Sequence, residues 1–84
     1  MYKGKLEKIS ELENAEYPNN VPVGEIIEGV FDELPEEGKC FFIVGQKLGL
    51  SRKTSLVQNI LEMEWDNYIF ETVNSKYKLT YELA

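Results

Sequence analysis

A small, mainly β domain is what this chain predicts, and three observations carry the prediction. Long stretches alternate apolar and polar residues, most legibly "IFETVNSKYKLTYEL" from Ile69 to Leu83, and a period of two marks a half-buried strand. Gly, Pro, Asn and Asp cluster between those stretches, where turns are needed. The chain has 84 residues, 43% of them hydrophobic, with five Tyr, four Phe and one Trp. That suits one folded domain spanning residues 1–84 rather than a disordered segment.

The elements follow in order. Tyr2 to Ile9 reads as a first strand, while Leu6, Ile9 and Leu12 also fit one face of a short helix at i, i+3, i+6. Both readings stay open for residues 2–15. Residues 14–22 hold Pro18, Asn19, Asn20 and Pro22 and form a loop. From Val23 to Phe31 the pattern is strand-like, and Asp32 to Gly38 turns on Pro35 and Gly38. Lys39 to Val44 is short, apolar and bounded by glycines, the pattern of a strand buried on both faces. On that reading Cys40 is a small buried hydrophobe. Gly45 to Ser55 is a polar loop. Gly45, Gly49, Lys53 and Thr54 miss the phosphate-loop spacing, because Leu50 rather than Lys follows Gly49.

Ser55 to Trp65 offers two periods. Leu56, Val57, Ile60 and Leu61 suit a helix face with Ser51 as its N-cap. A register test favours a strand. With two-residue loops at Asp66-Asn67 and Asn74-Ser75, the rows become Trp65/Tyr68/Tyr81, Met63/Phe70/Leu79 and Leu61/Thr72/Tyr77. Large side chains then share one face, which is expected to be the core. The other face sets Glu71 against Lys78 and, less favourably, against Glu62. The sum is five to six strands in a strongly bent antiparallel sheet or SH3-like barrel, with a short N-terminal helix as the alternative for the first element.

Composition narrows the function classes. Histidine is absent and cysteine occurs once, which removes Ser-His and Cys-His nucleophile pairs and the commonest metal ligand. No paired-acid geometry can be named, so the expectation is no enzyme and no cofactor. No apolar run approaches the roughly 18 residues of a membrane helix, and no signal-peptide pattern opens the chain. A soluble, cytoplasmic protein that avoids membranes is expected.

Charge is distributed unevenly. Residues 1–38 hold three lysines and ten acids, a net of −7, whereas residues 39–84 come to +1. The acidic segment 10–38 contains Glu25, Glu28, Asp32, Glu33, Glu36 and Glu37, the candidate contacts for another protein with a basic surface. The bland alternative is a solvated face that keeps a small protein dissolved. Direct nucleic-acid binding is disfavoured by the net charge of −6, and its only candidates are Lys47, Arg52 and Lys53.

One resemblance can be stated. Leu34-Pro35-Glu36-Glu37-Gly38-Lys39, then Thr54-Ser55, then Phe70 to Leu79 resemble a pattern in small uncharacterised phage and mobile-element proteins. Those chains tend to show a Pro-x-x-Gly turn, an apolar strand, a Thr-Ser step and a closing Phe-x-Thr-x-Asn-Ser-x-Tyr-x-Leu hairpin. The similarity spans roughly residues 34–79. It implies a compact β fold of phage or mobile-element origin, acting in the host cytoplasm, and carries no catalytic residue. The expected function is a non-catalytic interaction module. The alternatives are an acidic nucleic-acid mimic that inhibits a nuclease or host defence complex, a virion structural protein, and a barrel that binds single strands. Edge-strand pairing would make a homodimer.

Overall fold

A computed structural model describes residues 1–12, 22–46 and 51–83. Six strands, β1 (Tyr2–Glu11), β2 (Ile26–Phe31), β3 (Cys40–Gly45), β4 (Arg52–Glu64), β5 (Asn67–Thr72) and β6 (Ser75–Leu83), pair antiparallel in chain order. β6 returns to β1 and closes the barrel. Among the described residues there is no helix, so Tyr2–Glu11 takes the strand reading. The reason is partnership. β1 lies between β2 and β6 and gains a ladder on each side, which an isolated helical turn with three apolar residues cannot match. The loop expected over residues 14–22, apart from Pro22, and residues 47–50 of the expected Gly45–Ser55 loop lie outside the described residues.

The core consists of Leu6, Ile27, Phe31, Phe41, Ile43, Val57, Tyr68, Phe70, Tyr77 and Leu79. A continuous run of rings crosses it: Tyr2–Phe31 at 5.3 Å, Phe31–Phe41 at 5.1 Å, Phe41–Phe70 at 5.8 Å and Phe70–Tyr77 at 5.6 Å between centroids. Such pairs each add about 0.5–1.5 kcal/mol beyond burial. Lys8 is also fully buried, its Nζ donating to Glu11 Oε1 at 2.6 Å. Burying that charge is tolerable because it is paired and bonded.

Close approach of backbones sets the curvature. Gly4, Gly29 and Gly45 fall in one cross-strand row. A Cβ on Gly29 would lie 2.0 Å from the Val44 carbonyl oxygen, and one on Gly4 would lie 2.3 Å from that of Thr80. Only glycine lets the strands cross so closely at this bend.

The meander exists, with its turns one residue earlier than the sequence suggested. They fall at Trp65-Asp66 and Val73-Asn74, which shifts pairing by two positions at each turn and keeps the facing sides. Phe70 thus faces Tyr77 and Tyr68 faces Leu79. Glu71 faces Lys76 rather than Lys78, and Glu62 faces Ile69, so the expected acid–acid conflict does not arise. The second turn is fixed by Thr72, whose Oγ1 accepts from the amides of Asn74 (3.3 Å) and Ser75 (3.1 Å). Asn74 Nδ2 then donates to Ser55 Oγ at 2.8 Å, and the Leu12 amide to the Asn74 carbonyl at 3.0 Å. The legible C-terminal hairpin therefore fastens β1 and β4 together; it is scaffold.

β4 corrects the expected aromatic rows. Irregularities against β3 between Lys53 and Leu56, and against β5 between Val57 and Asn59 and between Ile60 and Glu62, insert an extra residue each. Thr54, Val57 and Ile60 consequently point inward, while Leu61 (47% exposed), Met63 (68%) and Trp65 (89%) lie on the surface. β4 also starts at Arg52, inside the stretch read as loop.

Candidate interaction surface

β3 carries the main departure from expectation. Its burial alternates: Phe41 and Ile43 face the core, whereas Cys40, Phe42 and Val44 face outward. The strand is buried on one face only, and Cys40 is exposed. Phe42 is 53% exposed and Val44 44%. Two of their partners extend the patch: Val44 pairs with Val30 of β2 and Cys40 with Leu56 of β4, itself exposed. Phe42 pairs with Lys53 of β4, also exposed, which sets one ammonium beside the ring. An outward row of this kind, contiguous rather than scattered, is what marks a contact surface on a small domain.

The row borders a cleft of about 370 Å³ where β2 and β3 part. Their ladder has two register pairs, Gly29–Gly45 and Val30–Val44, beyond which the chain opens into the loop 32–39. That loop supplies Asp32, Glu33 and Glu36 to the cleft rim, with Lys39 beside them. Lys39 Nζ sits 3.3 Å from Glu36 Oε2, both exposed, and such a surface pair is weak. Asp32 and Glu33 have no ion-pair partner among the described residues, and both are exposed.

The six acidic candidates do not form one site. Asp32, Glu33 and Glu36 gather at the cleft. Glu37 accepts a long bond from the Ile60 amide at 3.4 Å. Glu28 lines a different groove with Lys3 and Lys5. Glu25 accepts from Arg52 at 2.9 Å in a half-buried ion pair. That pair joins an expected acidic contact to an expected basic one and engages both as a strut between the residue preceding β2 and the start of β4. The Arg52 Nε is buried without a partner among the described residues, a desolvation cost that the Glu25 pair offsets in part. Of the basic candidates, Lys53 is exposed on β4, and Lys47 lies outside the described residues. No group of three or more Cys, Asp or Glu able to hold a metal occurs among the described residues, and no described helix is long and apolar enough to cross a membrane.

Sequence reasoning missed Phe42, Val44 and Cys40 because Cys-Phe-Phe-Ile-Val reads identically for a strand covered on both faces and for one whose outer face is apolar. The only signal was the acidic loop immediately before it. Comparison with protein-family models, curated proteins and solved structures finds no match to this chain.

Proposed function

We propose that this barrel is a protein-interaction module that binds without catalysing, through the apolar row Cys40, Phe42 and Val44 and the acidic loop beside it. The observation that supports the reading is the half-exposed Phe42 next to Asp32, Glu33 and Glu36. A large apolar anchor with a charged rim has the anatomy of a binding centre: the ring supplies affinity, and the rim steers and selects. The chemistry favours a partner that presents an apolar pocket or ridge flanked by Lys or Arg. A second copy of this chain fits less well, since pairing this face with itself would set one acidic loop against another.

This narrows the acidic segment to three residues of its loop and adds an apolar element that charge alone did not reveal. The test is capture of proteins by the wild-type chain, Phe42→Asp and Lys78→Glu, the last changing an exposed lysine on β6, three strands round the closed barrel from β3. A salt-sensitive protein retained by wild type and K78E but lost from F42D supports the module. Equal capture by F42D, or loss through K78E, contradicts it. Sedimentation of the purified chain addresses self-association, and a dimer abolished by F42D would assign the face to a second copy.

A further inference from the structure

A second groove, of about 460 Å³, runs over β1, β2 and β6 beside the β4–β5 turn. Its volume falls in the range of about 300–1,000 Å³ usual for small-ligand sites. Trp65, the chain's single tryptophan, stands at its edge with 89% of its surface exposed. The turn that carries the indole is positioned, because the Tyr81 amide donates to the Asp66 carbonyl at 2.9 Å. Gly4 and Gly29 give the groove bare backbone in its lining.

The polar groups lining this groove nearly cancel in charge. Lys3 and Lys5 contribute two ammoniums, while Glu28, Asp66 and Glu82 contribute three carboxylates. They are interleaved: Lys3 Nζ lies 3.4 Å from Glu82 Oε1, and Lys5 sits opposite Glu28 in the β1–β2 register. Gln46 adds an amide and Thr80 a hydroxyl. A phosphorylated ligand would meet carboxylates in this groove, and a cation would meet lysines. A neutral ring with an apolar face and several hydroxyls suits every group present. Its C–H face lies on the flat indole, its hydroxyls accept from the lysines and donate to the carboxylates, and Gln46 can do either.

We propose that this groove binds a neutral carbohydrate, with Trp65 as the stacking platform and Glu28, Gln46 and Asp66 as hydroxyl partners. The proposal stands independently of the protein-docking face, since Phe42 is not part of the groove.

The test uses the full chain and three uncharged probes, cellotetraose, maltotetraose and chitotetraose, followed by amide NMR shifts. At least one probe should give saturable shifts at the Trp65 indole N–H and at Gly4 and Gly29, with Kd of roughly 10⁻⁵–10⁻³ M. Trp65→Ala should weaken that binding about tenfold or more, equivalent to a 1.4 kcal/mol difference, as read from the glycine amides. Glu28→Gln should weaken it less, and F42D should leave it unchanged. No saturation by any probe up to about 10 mM, roughly tenfold above the weakest expected Kd, overturns the proposal. So do equal binding by W65A and saturation of the same amides by a single-stranded oligonucleotide in place of the sugars.

Discussion

Replacing Gly29 with alanine adds one methyl group where the structure leaves no room. The new Cβ would stand 2.0 Å from the Val44 carbonyl oxygen and 2.7 Å from its carbon. Ordinary contact begins near 3.4 Å, so β2 and β3 must separate by more than an ångström. Both atoms to be displaced are backbone, and no rotamer change relieves the clash. The β2–β3 ladder consists of two register pairs, and both adjoin this site: Gly29–Gly45 and Val30–Val44. Overpacking costs about 1–3 kcal/mol, and weakening the adjacent ladder bonds adds about 1 kcal/mol. A total near 3 kcal/mol is large against the ~4–13 kcal/mol that about 0.05–0.15 kcal/mol per residue gives a chain of this size. At roughly 4–8 °C per kcal/mol, Tm should fall by about 12–24 °C. The assay is thermal and urea unfolding followed by circular dichroism, because Trp65 is too exposed to report on core loss. A Gly29→Ala change of under 1 kcal/mol would refute the close crossing and with it the glycine account of the barrel's curvature.

Other outcomes follow from the same packing. Phe70→Ala removes a ring with no exposed surface between Phe41 and Tyr77 and should cost about 3–5 kcal/mol in urea unfolding. Thr72→Ala strips the acceptor from the buried amides of Asn74 and Ser75; about 2 kcal/mol is expected, and a neutral result would show that the turn holds without this clasp. Phe42→Asp changes an outward residue and should move stability by no more than about 1 kcal/mol, so lost binding in that variant can be separated from lost fold. Partial burial raises the Tyr81 pKa above its ordinary 10.0, helped by the Tyr68 and Tyr2 phenols and the Asp66 carboxylate. Its folded-state pKa is the higher one, so its contribution to stability is intact below about pH 10 and is lost as pH rises through the folded value. Tyr81→Phe should flatten that alkaline loss, measured by urea unfolding across pH 9–11.

The class of fold was legible because alternation in β5 and β6 survives any even shift of register. Misplacing both turns by one residue moved each pairing by two and left the core face of β5 and β6 unchanged. β4 was less legible for a physical reason. One irregularity against β3 and two against β5 space the inward residues Thr54, Val57 and Ile60 three apart, so a strand presents a period close to that of a helix. The last of them leaves Leu61 unpaired and exposed, while Met63, opposite Tyr68, is exposed near the strand's end. None of the three is announced by a glycine within the strand, and both turns were misplaced partly because they avoid left-handed backbone: no described residue other than glycine has positive φ.

The candidate surface was legible in half. The loop acids Asp32, Glu33 and Glu36 stand out in the charge pattern, but their apolar neighbour does not. Whether Phe42 or Phe41 enters a core depends on which side of β3 the barrel closes, and that is a property of the sheet. The Glu25–Arg52 strut was hidden likewise, because it joins residues 27 positions apart whose charges invited opposite functional roles.

The central claim is that β3 and the loop before it form the binding face. Amide hydrogen exchange of the chain, alone and saturated with a protein partner captured by wild type and lost from F42D, tests it most directly. The account predicts that added protection concentrates in residues 31–44. Protection confined to β1, β5 and β6, with residues 31–44 exchanging as in the free chain, would contradict it.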